Sequence, residues 1–164
     1  MLSRQVSELE VLLQQLIDEH QKLLAHVDNH QRAMKTFDLK AMDDVCRLQE
    51  AGRIRIANLE TKRRNLIVQI ARAHRMTQVP TLPDIAAMYP PNGPMLLKLR
   101  QELKDVIGRV QARTHVAGKL ASAVVGHLNT VVRLLAGAVE KAGLYTKQGI
   151  PQVSSRIGVM EAVG

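Results

Sequence analysis

Val6, Leu9, Leu13, Leu16, His20, Leu23, Val27, His30, Met34 and Phe37 follow one another in alternating steps of three and four residues, without a slip. An α-helix turns once every 3.6 residues, so this spacing lays all ten side chains along one stripe of a single long helix. An a/d stripe of that length is buried well only against other helices. The chain is therefore expected to be all-α. Its core chemistry agrees, because Phe37, Tyr89 and Tyr145 are the only Phe, Tyr or Trp residues. Leu, Val, Ile, Ala and Met must fill the interior, which suits helix-on-helix packing better than a sheet.

Asp38 follows Thr36 and Phe37 as a helix N-cap, with Asp43 and Asp44 early in the next helix, where negative charge suits the helix dipole. That second helix carries a weaker seam of Met42, Val45, Ile56, Leu59, Leu66, Ile70 and Ala73, interrupted by Gln49, Gly52 and Arg63. Between Thr77 and Gly93 the pattern stops and four of the chain's six prolines occur. Thr81, Pro83 and Asp84 have the order of a capped helix start, giving one short helical turn through Met88 inside this connector. The third helix carries the seam Leu96, Leu99, Leu103, Val106, Val110, Arg113, Ala117, Leu120, Val124, His127, Val131, Leu134 and Ala138. A second row at seven-residue spacing, from Ile107 to Ala142, widens its apolar stripe enough to face two helices. The expected fold is an elongated antiparallel helical bundle or coiled coil of three long helices, about 4–36, 39–76 and 94–142, with a Pro-rich connector at 77–93. Residues 1–142 form the bundle, and 143–164, rich in Gly, Pro and Ser, a flexible tail.

Charge is distributed unevenly. Residues 1–50 carry six Lys or Arg against nine Asp or Glu, residues 51–76 seven against one, and residues 77–164 ten against five, for a total of +8. Arg53, Arg64 and Arg75 recur every eleven residues, which rotates each by about twenty degrees from the last on a helix. Such a stripe reads first as a solvated coiled-coil flank. A nucleic-acid interface would interleave aromatics to stack bases, and none are interleaved here. The lone Cys46 excludes an intrachain disulfide, and the chain opens without a charged-then-apolar leader, so the cytoplasm is the expected compartment.

The stretch LASAVVGHLNTVVRLLAGAV, residues 120–139, holds one full charge, Arg133. Twenty residues suffice to cross a bilayer, but Gly126, His127, Asn129 and Arg133 at its centre make insertion costly, and none is expected. With Val125, Val132 and Val139 forming a third row, the stretch is more apolar than a three-helix bundle requires. An exposed apolar face of that size marks self-association or a groove for another protein's amphipathic helix.

Catalysis is not expected. His26 and His30 stand one helical turn apart without a third ligand or a zincin carboxylate, no Gly-rich phosphate loop occurs, and no metal or other cofactor is implied. His20, His30 and His127 at seam positions are expected to set helix register, as a buried Asn does in a coiled coil, and to loosen the bundle when protonated.

The chain resembles the FlgN-type flagellar export chaperones, helical proteins of flagellar type III secretion. The likeness rests on the leucine-rich first helix, the restart at Asp38 to Met42, and the basic helix with KRRNLI at Lys62 to Ile67. It rests further on the TLPDI turn before a long final helix, and on LYTKQG, Leu144 to Gly149. Where the family is expected to have an Asn-rich mid-helix stretch, this chain has Arg113, Thr114, His115, Val116, Ala117 and Gly118, keeping only the glycine. The resemblance implies a cytoplasmic secretion chaperone that holds the sticky terminal helices of hook-filament junction proteins and delivers them to the export gate. A client helix would lie on Leu120, Val124, Leu128, Val131 and Leu135, and Tyr145 would be the handle read by the gate. A homodimer is compatible with the same apolar face. The alternatives are a basic coiled-coil nucleic-acid-binding protein and a purely structural oligomer.

Overall fold

A computed structural model describes the backbone of residues 2–143 and the side chains of residues 4–139. The described residues form four helices: α1 (Leu2–Thr36), α2 (Leu39–Ala73), the short α3 (Leu82–Met88) and α4 (Gly93–Gly143). No strand occurs among them. They divide into two compact units, one ending at Ala121 and the other beginning at Ser122.

In the first unit α1 and α2 form an antiparallel hairpin. Its turn is made at Phe37, which takes a left-handed backbone (φ 53), and at Asp38, whose carboxylate accepts from the amide of Ala41 at 3.0 Å to cap α2. The hairpin's pairing is set by Glu19 with Arg55 and, nearer the turn, by His30 with Cys46 and Gln49. α3 starts with a capping box in which Thr81 and Asp84 satisfy each other's backbone amides, with proline in the first turn. Its Ile85 and Ala86 are buried in the core. α4 then runs parallel to α1: Asn92 donates to Glu10 at 2.9 Å, and Gln31 donates to the carbonyl oxygen of Arg113 at 3.0 Å. Both pairs are separated by 82 residues, so the two helices keep a constant register. At that offset Thr36, the last residue of α1, falls opposite position 118.

α1 is the helix that faces two neighbours. Val6, Leu9, Leu13 and Leu16 of the seam are fully buried, and Leu12 and Ile17 beside them are nearly so. With Leu66, Ile67 and Ile70 of α2, Ile85 of α3 and Leu96, Leu99 and Val106 of α4, they make one core at the connector end of the unit. Two-row burial was expected of α4 instead. Its second row fails because Ile107 is half-buried, Thr114 is exposed and Leu128 and Leu135 are 46% and 61% exposed.

Towards the turn the core becomes polar. Gln49 and Gly52, which interrupt the α2 seam, are buried, and Gln49 donates towards the carbonyl of His26 at 3.4 Å and contacts His30. A Cβ on Gly52 would meet Leu23 at 3.9 Å, so that position sits in the interface between the two helices. His20 is buried as the seam predicts, its Nδ1 lying 2.7 Å from the carbonyl oxygen of Leu16. His30 is half-buried, whereas His127 is exposed and sets no register in the described core. Phe37, the last seam position, is half-exposed in the turn. α2 ends at Ala73 rather than at Met76, because Arg75 takes a left-handed backbone (φ 52) that a helix cannot carry.

In the second unit α4 continues as helix through Gly143, the last described residue, and Thr130 bonds back to the carbonyl of Gly126 at 3.0 Å. The expected tail beyond Gly143 lies outside the described residues.

Candidate functional site

The side chains of α4 from Leu120 onward are the largest exposed apolar surface of the described chain. Leu134, Val139, Val132, Leu135 and Val125 are each more than half exposed, Leu128 is 46% exposed and Val131 36%. Leu120 and Val124 are half-buried. At 100° per residue Leu120, Val131, Val124, Leu135 and Leu128 occupy successive positions within about 80° of the helix circumference. Leu134 lies on one side of them and Val139, Val132 and Val125 on the other, so the apolar arc covers about half the circumference. The five residues expected from sequence are thus its centre. The flanking residues were visible as a seven-residue row but were not assigned to the site, since spacing alone does not say how far an exposed stripe extends.

The opposite side of the helix carries Ser122, Asn129, Thr130 and Arg133, all exposed. An 18-residue window of α4 has a mean hydropathy of 1.4 and is long and apolar enough to cross a membrane by length and composition, with none of it buried. Its two-sidedness argues for a different solvent. A lipid-facing helix would present Arg133 and Asn129 to hydrocarbon, whereas a protein partner covers one face and leaves the other wet.

Within the first unit the burial of α4 ends at Val106, and residues 111–116 are already exposed although α1 runs on to Thr36. Arg113, a seam position by spacing, is exposed and approaches Asp28 at 3.7 Å. Tyr145, the expected export-gate contact, lies outside the described residues.

The basic stripe of α2 does not survive as a unit. Arg53 lies 3.7 Å from Glu50 and Arg64 4.0 Å from Glu60, while Arg75 has left the helix. Arg53 and Arg64 thus each have an acidic neighbour one turn away, and the three do not form a continuous helical stripe. His30 and Cys46 approach to 3.8 Å, and no group of three metal-ligating side chains occurs among the described residues.

A protein-family model described as FlgN protein matches residues 1–152. No curated protein and no solved structure matches the chain.

Proposed function

The chain belongs to the FlgN family, a family of flagellar export chaperones, and on that premise we propose that it is a cytoplasmic, non-enzymatic chaperone for hook-filament junction proteins. The client's amphipathic terminal helix lies along Leu120, Val124, Leu128, Val131 and Leu135, with Leu134 and Val132 at the edges. The observation that supports this reading is the apolar half-circumference of α4, which is exposed among the described residues. Covering it removes water from the client's apolar stripe and from the chaperone's at once, at about 25 cal/mol per Å² of apolar area. Binding of this kind prevents the client from aggregating before export and is reversible, as delivery requires.

Delivery to the export gate is assigned to Tyr145. A Tyr145→Ala variant is expected to bind the junction proteins with unchanged affinity by calorimetry while secreting less of them. Loss of client binding in that variant would place Tyr145 in the client site instead.

A further inference from the structure

A second surface, within the first unit and away from the apolar arc, has the composition of a binding cleft. It lies between α2 and α4 and encloses about 470 Å³. Its floor is Leu13 of α1, with Leu103 and Ile107 standing one turn apart on α4. Arg63, Arg100 and Lys104 stand at its rim. One acid, Glu60, is also present, and it is held by Arg63 at 2.8 Å. Arg100 and Lys104 are both exposed and make no ion pair among the described residues, which leaves the cleft two uncompensated positive charges over an apolar base.

We propose that this cleft is a docking site for an acidic amphipathic helix of another protein. Residues of α1, α2, α3 and α4 all line the cleft, and it stays open to solvent as a groove that takes a further helix does. Ile107, half-buried one turn from the buried Leu103, offers apolar surface beside the two basic residues for a helix to cover. Gly108 has open space where a Cβ would be, so a backbone can approach closely beside them. Arg100 and Lys104, likewise one turn apart, meet carboxylates flanking the incoming stripe. The chain's own residues 144–164 are a poor occupant, because they carry Lys147 and Arg156 against the single acid Glu161. A nucleic acid is a poor one too, since an apolar floor without an aromatic offers bases nothing to stack on.

The test uses the full chain and a dye-labelled synthetic helix of about 20 residues, long enough to hold helicity, with Leu along one stripe and Glu on its flanks. A control peptide carries Gln in place of Glu. Fluorescence anisotropy is expected to show saturable binding of the acidic peptide and weaker binding of the control. Arg100→Glu with Lys104→Glu, checked for retained helicity by circular dichroism, is expected to weaken binding by about tenfold or more. Arg100→Gln with Lys104→Gln falls between, and every chain is measured in a Leu128→Asp, Val131→Asp background so that the apolar arc of α4 does not take the peptide. Equal binding to the charge-reversed chain, or no saturable binding at all in that background, overturns the assignment. So does a wild-type dimer that the charge reversal dissociates in sedimentation velocity, which would make the cleft an interface between two copies.

Discussion

The side-chain amide of Gln31, buried in α1, donates to the main-chain carbonyl oxygen of Arg113 on α4 across 3.0 Å. The bond ties two parallel helices at the far end of their common register, just before α4 passes the end of α1. Removing the amide gives up a buried hydrogen bond between the two helices. Gln31→Ala is expected to lower unfolding free energy by about 1 kcal/mol, read as a lower urea midpoint at unchanged slope. An unchanged midpoint would mean that the bond contributes nothing net.

Gly93 opens α4 with its Cα pressed against α3. A Cβ there would stand 2.7 Å from the carbonyl oxygen of Ala86, which is backbone and has no rotamer to escape by. Gly93→Ala is therefore expected to cost about 1–3 kcal/mol through displacement of the connector. Gly108→Ala, where nothing lies within 4 Å, is expected to stabilise the helix by about 0.5–1 kcal/mol. Thermal melts of the two variants should move in opposite directions.

Phe37 combines a left-handed backbone with a bulky aromatic side chain that is half exposed. Asn tolerates that conformation better than Phe does. Phe37→Asn is expected to raise stability by about 0.5–1 kcal/mol, the relieved backbone strain exceeding the lost partial burial. A fall in the melting temperature would show that the ring's contacts outweigh the strain.

The helices were legible because heptad spacing and caps are local. Val6 to Met34 predicted α1, and Asp38 and Thr81 predicted the starts of α2 and α3. What spacing could not convey is which helix lies in the middle. The second row of α4 looked wide enough for two neighbours, but α1 has that place, because its Leu12 and Ile17 lie beside the seam and both helices reach it. Gln49 and Gly52 looked like interruptions of a seam and are instead buried, one by hydrogen bonding and the other at the helix interface. Arg75 looked like the third member of a stripe, which a positive φ removes from the helix. The centre of the apolar arc was readable at Leu120 to Leu135. Its exposure depends on what packs against it in three dimensions, which no single stripe encodes.

Glu19 accepts from Lys22 at 2.8 Å and from Arg55 at 2.7 Å, joining α1 to α2. The hydrogen bonds from Lys22 and then Arg55 hold its carboxyl below the ordinary value of 4.5. A group whose pKa is lower in the folded chain than in the unfolded one adds stability above its unfolded pKa. That contribution is lost as pH falls through the folded value. Because both cations are about half exposed or more, the contribution is expected to stay below about 1 kcal/mol. Glu19→Gln should be slightly less stable than the wild type at pH 7, and the gap should close in acid below pH 4.5. A gap of equal size at both ends would assign the loss to packing.

The measurement that reaches the centre of this account is co-purification of the full chain with the hook-filament junction proteins of its own cell, compared with the Leu128→Asp, Val131→Asp double variant. Both positions are exposed, so the variant should keep its helicity and its melting temperature. The wild type is expected to retain a junction protein and the folded variant to lose it. Retention by both, or no retention by the wild type together with an oligomer that the variant reduces to monomer, would contradict it and give the apolar arc of α4 to self-assembly.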